Sequence, residues 1–179
     1  MWCVLLLFPA LFCIHDAEEI ITQRRWMRER GPMLKMRFPR LGKAIDSLGE
    51  LSTCAFAIAA MEELLIIIAV TLYNLAGGAY SFEIWVAVFL AFSLHLLVHI
   101  GQALVVGGYT PGVVTSVITL PYCCYEIVEM TAITEPLQLL ACGIAGVAFI
   151  VVNLLIAHRI GKNLCGKIVA KLCRFARIY

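Results

Sequence analysis

Five apolar stretches mark out the chain, at about residues 2–22, 51–73, 83–106, 112–130 and 137–158. Each is close to the roughly 20 residues a helix needs to cross a hydrocarbon core. The pattern predicts an all-α fold: a polytopic bundle of about five membrane-spanning helices followed by a basic amphipathic C-terminal helix. The first stretch is unlike the others. It is apolar without interruption from Trp2 to Ile14, and it reaches crossing length only by taking in His15-Asp16-Ala17-Glu18-Glu19, which carries charges to membrane depth. The second stretch holds Glu62 and Glu63 near its middle, and the third holds His95 and His99 four residues apart. The fourth follows Tyr109-Thr110-Pro111-Gly112. Pro111 is expected in its first turn, where a missing N–H is tolerated, and Pro121 is expected to kink it. In the fifth, Asn153 is the strongly polar interior residue.

The polar intervals fix an expected orientation. Eight Lys and Arg lie between Arg24 and Lys43 and six between Arg159 and Arg177, which accounts for all fourteen. The turns near Gly77 and Glu135 carry none. Five crossings put both basic blocks on one side, so the positive-inside rule predicts an outside N-terminus and a cytoplasmic C-terminus. In the tail, Ile168, Val169, Leu172 and Phe175 alternate with basic residues, a pattern expected to lie on the membrane surface and touch anionic lipid. With no internal repeat, the chain reads as one helical bundle over residues 1–158 and a basic tail over residues 159–179.

Composition narrows the class. Of 179 residues, 62% are hydrophobic and 15% charged, and a mean hydropathy of +0.92 excludes an ordinary soluble domain. The partner expected is membrane lipid, with no nucleic acid. Most of the eight cysteines sit in apolar runs, where a free thiol behaves as a small hydrophobe, so no disulfide framework is expected. Cys123 and Cys124 are adjacent and lack the spacing of a zinc-binding pair. The N-terminus lacks a basic leader and has Phe12 and Cys13 where the small residues of a cleavage site would fall, so it reads as part of the mature first helix.

Helical spacing turns His15, Glu18 and Glu19 to one face and Asp16 and Ala17 aside. Carboxylates crowded at membrane depth need a proton, a cation or an opposite charge. With the first helix running inward, the second outward and the third inward, His15, Glu18, Glu19, His95 and His99 fall in one layer. Glu62 or Glu63 forms its floor. Leaving these groups toward lipid is costly, so their faces are expected to meet inside the bundle. Imidazoles and carboxylates projecting from facing helices make a ligand set for a divalent metal such as zinc, iron or manganese. His15, Glu18, Glu19, His95 and His99 are the expected ligands. Glu18, Glu19, Glu62 and Glu63 are the candidate acid–base groups, and Tyr109, at the mouth of the layer, could gate or hydrogen-bond a substrate. Glu126 and Glu129 lie toward the other end of the fourth helix and read as solvated or interhelical contacts. No nucleotide-binding loop, nucleophile elbow, haem motif or iron–sulfur motif is present. The residues thus point to a metal-dependent intramembrane enzyme acting on a lipid-like or membrane-partitioned substrate. The alternatives are a small proton- or metal-coupled transporter and a structural bundle.

The His15-Asp16-Ala17-Glu18-Glu19 stretch resembles the signature of the family of integral membrane proteins named for an H-x-x-E-E motif. Two later stretches extend the resemblance. His95-Leu96-Leu97-Val98-His99 is similar to the family's N-A-x-x-H motif, with His95 in place of Asn and Leu96 in place of Ala. Gly107-Gly108-Tyr109-Thr110-Pro111-Gly112 keeps the Tyr-x-Pro-Gly core of a G-x-x-x-Y-x-P-G segment, although the upstream Gly position is occupied by Val105. The resemblance implies a multi-helix membrane protein of enzyme type whose reaction is not established. His95 would add a ligand where an Asn would only orient one.

Overall fold

The first helix, α1 (Trp2–Arg37), is 36 residues long, about 54 Å at 1.5 Å per residue. It continues through Pro9 and Pro32, well past the end of the first apolar stretch. The sequence pattern placed a basic connecting block from residue 23 onward, but Met27 and Leu34 on this part of α1 pack with Ile45 of the next helix. That contact gives the polar half of α1 an apolar seam. Phe38, which precedes Pro39, leaves the helical region (φ −128°, ψ 68°) and ends the helix, as a residue before proline tends to. A 3-10 turn (Pro39–Leu41) then leads into α2 (Gly42–Gly49), α3 (Thr53–Leu75), α4 (Ser81–Val106), α5 (Val113–Ile133) and α6 (Pro136–Phe175), with no strand among the described residues. A computed structural model describes the backbone over residues 2–175 and the side chains over residues 5–171.

Local chemistry sets the boundaries. The Ser52 side chain accepts from the Ala55 amide at 3.1 Å and caps α3. Gly107, in the left-handed region, closes α4 with its N–H on the Ala103 carbonyl at 2.9 Å. Pro111 lies ahead of α5 instead of in its first turn, because Gly112 is the N-cap. α5 is helical straight through Pro121. α6 runs unbroken across residues 158 and 159, so the start of the basic tail is an extension of the last span and not a separate helix. Arg177 lies outside the described residues, as do the side chains of Trp2, Leu172, Arg174 and Phe175.

Among the described residues four helices, α3 to α6, are long and apolar enough to cross a membrane. The chain is therefore an all-helical integral membrane protein. α1 has the length, but the ionisable residues of its second half set it apart in composition. α6 packs on α3 and α4, while α1 packs on α2, α3 and α5. A Cβ on Gly146 would collide with the Ala87 carbonyl, so glycine is what lets α6 lie flush on α4. The outer face of α6, with Leu137, Leu140, Ile144 and Leu155 exposed, is the apolar surface a bilayer would cover.

The core is built from two stripes at helical spacing. α1 contributes Phe8 and Phe12, and α4 contributes Trp85, Phe89, Phe92 and Leu96, all buried. Phe8 meets Trp85, Phe89 and Phe92 with ring centroids 5.8, 5.2 and 5.3 Å apart. Continued along each helix, the same stripes reach His15 and Glu19 on α1 and His99 on α4. The aromatic stack thus holds the two polar faces in register.

Candidate metal centre

His15 is fully buried, His99 nearly so, and the Glu19 side chain is 12% exposed, while His95 is more open. Their ring nitrogens converge. His95 Nε2 lies 3.1 Å from His15 Nε2 and 2.9 Å from His99 Nε2. Glu19 Oε1 is 3.3 Å from His99 Nε2, and Glu19 Oε2 is 4.0 Å from the Nε2 atoms of His15 and His95. One ligand atom from each of the four residues falls within 4.8 Å of all the others. Four donors held about 2.0–2.1 Å from a tetrahedral zinc would be about 3.3 Å apart. Three nitrogens and one carboxylate oxygen at this spacing form a group able to hold a metal ion.

Glu18 faces elsewhere. Its Oε2 accepts from the Thr115 amide at 2.8 Å and the Thr115 hydroxyl at 2.6 Å, and its Oε1 accepts from the Tyr109 hydroxyl at 2.9 Å. It sits at the N-terminus of α5, where free amides and the helix dipole favour a carboxylate. Thr115 also reaches His15, with Oγ1 3.0 Å from His15 Nδ1. A hydroxyl has one proton, and the short contact to Glu18 takes it. His15 therefore donates from Nδ1, and its Nε2 keeps a free lone pair toward His95 and Glu19. A carboxylate acting through a partner on the second ring nitrogen is how metal-ligating histidines are commonly oriented.

The Tyr109–Gly112 loop completes this arrangement. Trp26 Nε1 donates to the Tyr109 carbonyl at 2.8 Å, and Thr110 is buried beside His99. The Pro111 carbonyl lies against the His99 ring, although Nδ1 has no partner at good hydrogen-bond geometry. Gly112 has φ 81°, and a Cβ there would lie 3.0 Å from His15 Cε1 and His99 Cε1. Glycine is needed both for the backbone conformation and for room beside the two rings. Partial burial, and then the hydrogen bond to Glu18, raise the Tyr109 phenol above its usual value.

The remaining candidates divide between two directions. Glu62 Oε2 accepts from Asn153 Nδ2 at 3.1 Å, which ties α3 to α6. Glu63 has a buried Oε1 without a hydrogen-bond partner and acts electrostatically on Asp16 and Glu19. Asp16 lies off the histidine face, as helical spacing predicts, yet it is not solvated. It is 8% exposed, because α3 packs along that side of α1. Glu126 is also 8% exposed, and its solvated reading is replaced by burial between helices. Thr115 escaped the sequence reading altogether. Its one signal is its place three residues after Gly112, inside the first turn of α5.

A cavity of about 600 Å³ adjoins the histidines, with Glu19, His95 and His99 in its wall and α2 closing it through Ala44, Ile45 and Leu48. Another hollow, of about 520 Å³ between Ser52 and Gly166, is lined by none of the clustered histidines.

No curated protein and no solved structure matches the chain. A family model does match, over residues 6–126, a range that holds His15, Glu18, Glu19, His95, His99, Tyr109 and Thr115. The chain thus belongs to the family described as protein of unknown function with HXXEE motif.

Proposed function

We propose that the protein is a metal-dependent intramembrane enzyme whose substrate is a lipid-like or membrane-partitioned molecule. The observation that carries this reading is that the His15, Glu19, His95 and His99 group places Glu19, His95 and His99 in the wall of a largely apolar cavity. Zinc, iron or manganese suits imidazole and carboxylate donors. A bound divalent ion would supply Lewis acidity for a carbonyl or phosphoryl oxygen or would activate water. The chain's own residues divide the remaining work. Glu18 and Thr115 hold His15 in one tautomer, Gly112 makes room for the rings, and Glu63 is the acid–base candidate beside Glu19. Tyr109 ties Glu18 to the loop next to the cavity. Hydrolysis, group transfer and oxidation all remain compatible with this set. The basic residues support an outside N-terminus and a cytoplasmic C-terminus, with α1 as a fifth crossing.

A second reading is favoured by one observation. Asp16 and Glu63 continue the ionisable residues from Glu19 toward α3, as a proton or cation path would. The experiment that separates the two uses purified protein reconstituted in vesicles made from a membrane lipid extract. Metal-dependent conversion of a lipid species, absent in His99→Ala, supports the enzyme. Metal or proton flux without any lipid conversion supports the transporter.

A further inference from the structure

The cavity beside the histidines is distinctive for what its wall lacks. The chain has fourteen Lys and Arg, eight of them between Arg24 and Lys43, on the helices and turn that also line this cavity. Yet the lining contains no Lys, Arg or Asp, and its one carboxylate is Glu19. Lys35 is turned away into an ion pair with Asp46, and Arg37 donates to the Val106 carbonyl at 3.2 Å. The wall is instead made by apolar side chains such as Met27, Leu34, Ile45 and Leu48, with Gln23, Gln102, Thr110 and His158 as neutral polar contacts.

We infer that this cavity binds an uncharged single-chain amphiphile, with its alkyl chain along α2 and its oxygen function among the neutral polar groups near His95 and His99. The ligand class rests on the proposed reading of the cavity as a substrate site. Apart from the proposed metal itself, a phosphate or sulfate head would be desolvated with no guanidinium or ammonium in the wall to balance it, which is costly for a charge and tolerable for a hydroxyl, ester or amide. A volume near 600 Å³ is within the range of a site for one small ligand. The buried Nε2 of His158 has no hydrogen-bond partner, so this part of the wall has polar capacity to spare.

The test uses chelator-treated protein in nanodiscs, so that any metal is removed from the comparison. Hexadecan-1-ol, hexadecanoate and hexadecyl phosphate share a chain and differ in head group, and each is scored by displacement of a fluorescent alkyl alcohol. Hexadecan-1-ol is expected to compete at least about tenfold better than either anion. Gly101→Phe is the blocking variant. Gly101 lines the cavity, and a Cβ there meets nothing within 4 Å, so the position has room for a larger side chain at the cavity wall. Helical content and thermal stability are expected to match the parent, with alcohol binding lost. Equal or better competition by the anions, no binding of the alcohol to the parent protein, or full binding by a folded Gly101→Phe protein would each overturn the inference. None of these results touches metal occupancy, which tests the enzyme reading separately.

Discussion

His15 Nδ1 lies 3.0 Å from the hydroxyl of Thr115, a residue one hundred positions further along the chain. Through that hydroxyl the imidazole is joined to Glu18, which accepts the Thr115 proton at 2.6 Å. Thr115→Val removes the group that holds His15 in its Nδ1–H form, and metal affinity is expected to fall by about 10- to 100-fold. Thr115→Ser, which keeps the hydroxyl, is expected to restore most of it. Competition titration with a zinc chelator reads the affinity. Affinity unchanged in Thr115→Val would show that His15 needs no such partner.

Gly112→Ala should be damaging out of proportion to one methyl group. The left-handed backbone (φ 81°) costs a residue with a Cβ roughly 1–2 kcal/mol, and the new carbon presses on His15 and His99 at 3.0 Å. Thermal unfolding in detergent is expected to shift down, with metal affinity falling as well. By contrast Gly31→Ala, where nothing lies within 4 Å of the added carbon, is expected to be neutral or mildly stabilising, since alanine is the better helix former.

Tyr109 gives a pH dependence of defined sign. Its phenol is raised above the usual value, so its hydrogen bond to Glu18 stabilises the fold fully below the unfolded value of about 10. That contribution is lost as pH rises through the folded value. Tyr109→Phe is therefore expected to lower stability by no more than about 1 kcal/mol at pH 7 to 9, given the exposure of the pair. The difference should shrink above about pH 10. Melting temperatures of the two proteins across this range provide the check.

The orientation is open to direct labelling. With α3 to α6 crossing four times between them, positions 35 and 171 share one side, which the basic residues make the cytoplasmic one. Lys35→Cys and Lys171→Cys are then expected to react with a membrane-impermeant reagent from the same face of oriented vesicles. Reaction from opposite faces would remove one of α3 to α6 from the crossings and the depth argument with it.

Hydropathy was enough to read α3 to α6, the four helices long and apolar enough to cross a bilayer, because each apolar run has to match a fixed thickness. The extension of α1 to Arg37 was not legible that way. It depends on Met27 and Leu34 finding Ile45, a tertiary contact made by a segment that looks polar in sequence. The convergence of His15, Glu19, His95 and His99 was legible because i,i+4 spacing on each helix and a common depth leave few alternatives. The separation of Glu18 from Glu19 was not. Adjacent residues on a helix point about 100° apart, and only the position of the α5 N-terminus sends Glu18 to Thr115 and Tyr109 while Glu19 remains with the histidines. The burial of Asp16 was not legible for a related reason, since the sequence does not say that α3 packs along that side of α1.

Metal content and its link to stability test the central claim most directly. Detergent-purified protein should carry zinc, iron or manganese at close to one ion per chain. Chelation should lower its melting temperature, as linkage requires for an ion bound only by the folded state. Glu19→Gln should lose the ion and become insensitive to chelator, whereas Glu18→Gln should keep a weakened site, because Glu18 acts through Thr115. Protein that purifies without metal, binds none on addition of Zn²⁺, Fe²⁺ or Mn²⁺, and melts at the same temperature with and without chelator would contradict a metal centre at His15, Glu19, His95 and His99.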